Sequence, residues 1–229
     1  EKNEFIQAIE RYEVARSIAE RNPDEEHSRI TYLRALNGLG LSNYLIGRLD
    51  YAVEYFLISL DERERDGDYY NISVAQNNLG LVFYQMLEFE RAKTYYEDAM
   101  ENRLLSSDPR EIEDYLVNIG LSLSGLADNT EDEDLKMNYL VESLDNFERA
   151  IERCQIDTID CKLSMIYEAY NGMGIIYKTM AEYDSSLMML NKAIELASEE
   201  NSEYNVIKSL VNLSMTNHEM GNYSDALKY

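Results

Sequence analysis

Five asparagines recur at one place in this chain. Asn37, Asn78, Asn118, Asn171 and Asn212 each lie two or three residues ahead of a small residue in a repeating segment. A carboxamide carries both donor and acceptor, so a row of them can hold the backbone of an extended peptide without reading its sequence. The same groups can instead bond neighbouring helices or water. Either way this is binding chemistry. A phosphate-cradling glycine loop, a Ser-His-Asp or Cys-His arrangement and a metal-ligand cluster are all missing from the sequence. Its two histidines, His27 and His218, are too scattered for a zinc site. No cofactor and no catalytic residue is expected.

The asparagines belong to a repeating unit. The small residues that follow them are Gly40, Gly80, Gly120, Gly174 and Ser214, at successive separations of 40, 40, 54 and 40 residues. Three equal steps mark an internal repeat, and the odd step is one unit with an insertion. The second half of each unit has its own pattern. A large residue stands three before a small one in Leu49 and Ala52, Phe89 and Ala92, Leu140 and Ser143, Tyr183 and Ser186, and Tyr223 and Ala226. Then come a bulky residue (Phe56, Tyr96, Phe147, Leu190) and another small one (Ser59, Ala99, Ala150, Ala193). Spacings of three, four and three put these on one helical face. A mid-helix glycine costs roughly 1 kcal/mol against alanine, so its recurrence predicts close helix packing, with the bulky residue filling the groove beside it.

Turn residues divide the chain accordingly. Gly47–Asp50, Leu87–Glu90 and Gly221–Ser224 separate the two helices of a unit, while Asp66–Asp68 and Ser106–Pro109 separate units. The predicted organisation is an N-terminal helix (1–27), repeats at 28–68, 69–108, 109–158 and 159–201, and a shortened repeat at 202–229. Within the first segment, Phe5–Arg21 reads as the second helix of a preceding unit, with Ala8, Tyr12 and Ala15 in register. The third repeat carries the insertion, at 128–138, whose five carboxylates within Asp128–Asp134 are expected to form a solvated loop. They do not match a calcium loop.

Composition bounds the partner. The formal charge is −23 over 229 residues, a field that repels phosphate backbones and anionic lipid and draws in basic groups. No nucleic acid is expected to bind this chain, and no apolar run is long enough to span a bilayer. Hydrophobic residues make up 45%, enough for a sizeable core, and the 2 prolines leave long stretches free to be helical. Cys154 and Cys161 form no CxxC pair. Free buried thiols are the expectation and a bridge the alternative, so the compartment stays open between a cytoplasmic default and a periplasmic setting. The chain opens at Glu1 without Met and stops at Tyr229 inside an apparent helix, so an excised or processed piece of a longer protein is expected.

These repeats resemble the tetratricopeptide (TPR) family in its long-period variety, from about residue 28 onward. The resemblance rests on the Leu-Gly pair, the aromatics that follow it (Tyr44, Phe83 and Tyr84, Tyr177) and the small-bulky-small face of the second helix. The family's frequent first-helix Trp is missing, and its repeat-ending Pro stands only at Pro23 and Pro109. The resemblance implies an all-α, right-handed superhelical solenoid of antiparallel helix pairs, about 11 helices, whose first helices line a concave groove.

Projecting the helical period onto that groove selects Arg34, Asn37, Leu41 and Tyr44 from the first repeat, and Val74, Asn77, Asn78, Leu81 and Tyr84 from the second. Asp114, Asn118 and Leu121 follow, then Glu168, Asn171, Ile175 and Lys178, and last Lys208, Asn212, Met215 and His218. In similar long-period arrays matching asparagines hold a peptide backbone; Asn78, Asn118 and Asn212 fit that position and Asn37 and Asn171 are shifted by one. The family's clamp for a C-terminal carboxylate needs cations where this stripe has Asn, Val and Asp. The expected partner is therefore a protein or peptide, with a basic one favoured by charge, bound by a sensing or scaffolding part of a larger signalling protein. A spacer that self-associates through its shortened last repeat, or a regulatory domain attached to an enzyme or DNA-binding regulator, is the alternative.

Overall fold

Alternating small and bulky positions require helices that approach closely, and helices are what form. The structure, a computed structural model, describes residues 2–21, 26–108, 110–156 and 161–228. These contain eleven helices and no strand. Packing divides the chain into two compact units, Glu1–Pro109 and Arg110–Tyr229.

The first unit holds α1 (Lys2–Glu20), α2 (Glu26–Leu45), α3 (Leu49–Asp66), α4 (Tyr69–Gln85) and α5 (Phe89–Leu105). Each helix packs on the next in sequence, and α2 also meets α4. The second unit holds α6 (Ile112–Asp128), α7 (Glu133–Ile156), α8 (Leu163–Thr179), α9 (Tyr183–Glu199), α10 (Glu203–Glu219) and the short α11 (Tyr223–Ala226). Consecutive helices again pack together, and α8 touches both α6 and α10. Short turns between packed neighbours make them antiparallel pairs, and Pro23 and Pro109 lie outside the described residues.

The glycines sit where the pattern requires. A Cβ built on Gly40 would stand 2.4 Å from Phe56 Cε1, one on Gly80 2.6 Å from Tyr96 Cε1, and one on Gly174 2.6 Å from Leu190 Cγ. Phe147 of α7 is wedged between two of them: a Cβ on Gly120 would come within 2.7 Å of its ring and one on Gly172 within 2.8 Å. Phe56, Tyr96, Phe147 and Leu190 are all buried. Each unit thus presses the bulky residue of a second helix onto the bare backbone of a first helix, which gains dispersion contacts that any side chain would prevent. Where the second helix carries serine instead of alanine, the hydroxyl bonds that same backbone: Ser143 Oγ donates to the Gly120 carbonyl at 2.6 Å and Ser186 Oγ to that of Gly174 at 2.7 Å.

The turn after each of α2, α4, α8 and α10 contains one residue in the left-handed region: Gly47 (φ 80°), Leu87 (φ 62°), Ala181 (φ 59°) and Gly221 (φ 82°). Two of these are glycines that adopt it freely; the other two carry a Cβ against its preference.

Two expectations need correction. The acidic insertion is a loop only over 129–132, because α7 begins at Glu133 and takes in the rest. Asp132 Oδ1 accepts from the backbone N–H of Asp134 and Leu135 at 3.0 and 3.1 Å, so a carboxylate read as solvated loop starts the helix instead. The cysteines are not free. Cys154, at the end of α7, and Cys161, just before α8, form a disulfide, their Cα atoms 5.2 Å apart. The chain leaves α7 and returns to α8 within a separation of 7 residues, which holds the two Cα atoms inside bridging range.

Candidate functional site

The first-helix stripe is described unit by unit. In the first unit it lies on α2 and α4. Arg34 is exposed and Leu41 is 37% exposed, whereas Asn37, Tyr44, Asn77, Leu81 and Tyr84 are half-buried. Asn78 is 8% exposed, and its Nδ2 donates to Oδ1 of Asn37 at 2.9 Å. Tyr84 meets Phe89 edge-on, with centroids 5.3 Å apart.

The second unit repeats the amide pair. Asn212 Nδ2 on α10 donates to Oδ1 of Asn171 on α8 at 3.0 Å, and Ser209 Oγ donates to the same oxygen at 3.1 Å. Asn171 is buried, and its accepting oxygen is filled. On α6, Asn118 and Leu121 are half-buried. The amides of Asn37 and Asn78, and of Asn171 and Asn212, are therefore joined in pairs from one first helix to the next, and what they offer outward is what the pair leaves over. Nδ2 of Asn37 donates to no described group, and Oδ1 of Asn212 accepts from none.

The charges of the second unit's stripe are neutralised in place. Lys208 Nζ on α10 donates to both oxygens of Glu168 on α8, at 2.9 and 3.1 Å. Lys178 lies 3.7 Å from Glu219. Burial lowers the Lys208 pKa, but its bonds to Glu168 outweigh that and hold it above the ordinary lysine value. Lys162 likewise bridges Glu111, at 2.9 Å, and Asp114. His218 is exposed and stands edge-on to Tyr223, with centroids 5.3 Å apart. The stripe thus mixes amides, apolar groups and closed ion pairs: a surface for main chain and side chains, with no nucleophile paired to a base among the described residues. Among those residues no group of His, Cys, Asp and Glu is placed to hold a metal ion, and no helix is long and apolar enough to cross a membrane.

Sequence reasoning missed two features. Lys208 and Glu168 are opposite charges one repeat apart at one helical position, a signal that a repeat-aligned charge comparison would find. Arg63 and Arg103 are buried cations at the ends of α3 and α5, each seven residues after the bulky residue of its helix. Arg103 lies 4.1 Å from the centre of the Tyr70 ring.

Comparison with known proteins agrees with this geometry. The family model for the tetratricopeptide repeat matches residues 31–104 and 165–229. Among solved structures, the chain is similar to BtubC (BKLC) from P. vanneervenii, at 15% identity and a TM-score of 0.70, covering 98% of this chain and 87% of that one. It is similar to a thermophilic TPR protein of Thermus thermophilus, at 17% identity and a TM-score of 0.62, covering 86% of this chain and 87% of that one. It is also similar to aspartyl phosphate phosphatase F from Bacillus subtilis, at 14% identity and a TM-score of 0.67, covering 88% of this chain and 58% of that one. At these identities the likeness is one of fold.

Proposed function

The chain belongs to the tetratricopeptide-repeat family, and we propose that it is a non-catalytic module that binds a protein or peptide along the open face of its first helices. The repeat fold supports a protein-binding or scaffolding module in general. The particular observation behind a peptide ligand is how little of that face is closed. Leu41 and Met215 stand 37% and 46% exposed on helices whose opposite sides carry packed small residues. Beside them, Asn37 and Asn212 keep unused donor and acceptor capacity, which suits the repeating C=O and N–H groups of an extended chain. The overall charge of −23 favours a basic ligand. A sensing or scaffolding part of a larger signalling protein fits this reading, and the fold shared with a phosphatase is compatible with such a regulatory setting.

The test is selection from a random linear peptide library, followed by titration of the enriched peptides against wild type, Leu41→Glu and Met215→Glu. Affinity should fall at least tenfold in one variant or the other. A library that yields no saturable binder, or binders indifferent to both substitutions, would overturn the proposal.

A self-associating spacer is the second reading. It draws on α10, where Tyr204, Ile207, Val211 and Met215 lie along one exposed apolar stripe. Sedimentation over a hundredfold range of concentration separates the two, since only self-association makes the apparent mass rise.

A further inference from the structure

In the first unit, a cavity of about 360 Å³ opens where α2, α3 and α4 meet, lined by Arg29, Ile30, Leu33, Arg34, Arg63, Asp66, Asp68 and Asn71. Most of its charges are already committed. Arg29 donates to Asp66 through Nε and Nη2 at 3.2 and 2.7 Å, and to Glu62 through Nη1 at 3.0 Å. Asp68 caps α4, accepting from the Asn71 backbone N–H at 3.2 Å and from its Nδ2 at 2.6 Å.

Two cations are left over. Arg63 is only 8% exposed, and its Nε donates to Ser59 Oγ at 3.0 Å. Its two terminal nitrogens reach no described acceptor, and it forms no ion pair among the described residues. Burial holds its pKa below the ordinary arginine value, against the pull of Asp68 and Asp66. Arg34, exposed at the rim, has neither a hydrogen bond nor an ion pair among the described residues. A desolvated guanidinium with unused donors is costly unless an acceptor arrives. Its planar fork matches a carboxylate in two parallel bonds.

We propose that this cavity is an anion seat, taking the side-chain carboxylate of an Asp or Glu on a protein partner, with Arg63 gripping from the floor and Arg34 closing from the rim. Ile30 and Leu33 supply an apolar wall for the methylene groups behind the carboxylate. The chain's overall negative charge opposes an approaching anion at long range, but that field is screened within about 10 Å in ordinary salt, whereas the fork acts at contact. Such a seat gives the protein-binding reading, on which it rests, one chemically defined anchor. A mostly basic ligand would still need one acidic residue.

The test follows the Nε–Hε signal of Arg63 by NMR during titration with N-acetyl-glutamate amide, its neutral glutamine counterpart and inorganic phosphate. The acidic probe should give a saturable shift that the neutral one does not, and binding should weaken at least tenfold in Arg34→Gln, a surface change that leaves the fold intact. Arg63→Lys, which keeps charge but loses the fork, should weaken binding by a similar factor. Equal response to the acidic and neutral probes, no saturation, or indifference to Arg34→Gln would overturn the assignment. Saturation by phosphate alone would overturn the choice of carboxylate. Because the probes are single residues, their outcome is read independently of whether any peptide binds along the first helices.

Discussion

The side chain of Asn78 on α4 donates to that of Asn37 on α2 at 2.9 Å. The same bond, between residues again 41 apart, joins Asn212 to Asn171 at 3.0 Å. A position that reads in sequence as ligand chemistry is thus also a tie between neighbouring first helices. Asn78→Ala would leave the Asn37 oxygen without its partner and should cost about 1 kcal/mol in denaturant unfolding. The double variant with Asn37→Ala should cost less than the sum of the singles, and strict additivity would show that the bond contributes nothing.

Gly40 faces the ring of Phe56, with no room for a methyl group. Alanine is the better helix former by roughly 1 kcal/mol, yet the overlap with a buried ring should dominate at about 3 kcal/mol. Gly40→Ala is therefore expected to lose about 2 kcal/mol net. Phe56→Leu in the same chain should recover part of that loss, as thermal melts of the four variants would reveal.

Gly47 and Leu87 occupy matching turns, both at positive φ, and a Cβ at Gly47 would meet nothing within 4 Å. Backbone preference alone then sets the outcome. Gly47→Ala should destabilise by about 1 kcal/mol, and Leu87→Gly should stabilise by a few tenths of a kcal/mol once the entropy of glycine is counted. Unchanged melting in both would refute the strain.

Tyr55 on α3 donates to Glu13 on α1 at 2.6 Å. Burial first, then this bond and the nearby carboxylate charge, push its pKa up from 10.0 to about 12. A hydroxyl held protonated in the folded state contributes fully below its unfolded pKa and progressively less above it. The stability difference between wild type and Tyr55→Phe, about 1 kcal/mol at pH 8, should shrink from pH 10 upward and be gone by about pH 12. A constant difference across that window would exclude the bond.

Cys154 and Cys161 are bridged. Thiol titration of the unfolded, unreduced protein should find no free sulfhydryl, and two after reduction. Replacing both by Ser should cost about 2 kcal/mol, the scale expected for closing so short a loop.

The helix pairs, their turns and their packing were legible because each repeat states the same rule again. Gly40, Gly80, Gly120 and Gly174 predict a close approach, and each meets a bulky residue from the following helix. The candidate site was legible only as positions. Helical period placed Asn171 on the stripe, but not that it would be buried with its oxygen filled by Ser209 and Asn212. Nor could it place the bond of Asn78 to Asn37.

What the amino-acid order determined alone is periodic: which residues share a helical face, where turns interrupt it, and that the family is one of helical repeats. Such features depend on separations of a few residues, which helical geometry converts directly into direction. Pairing between helices was decided only in three dimensions. The bridge from Cys154 to Cys161, the tie from Lys208 to Glu168, and the unused guanidinium of Arg63 each depend on distances between groups on separate elements. Small rotations and shifts of packed helices set those distances, and no local pattern records them.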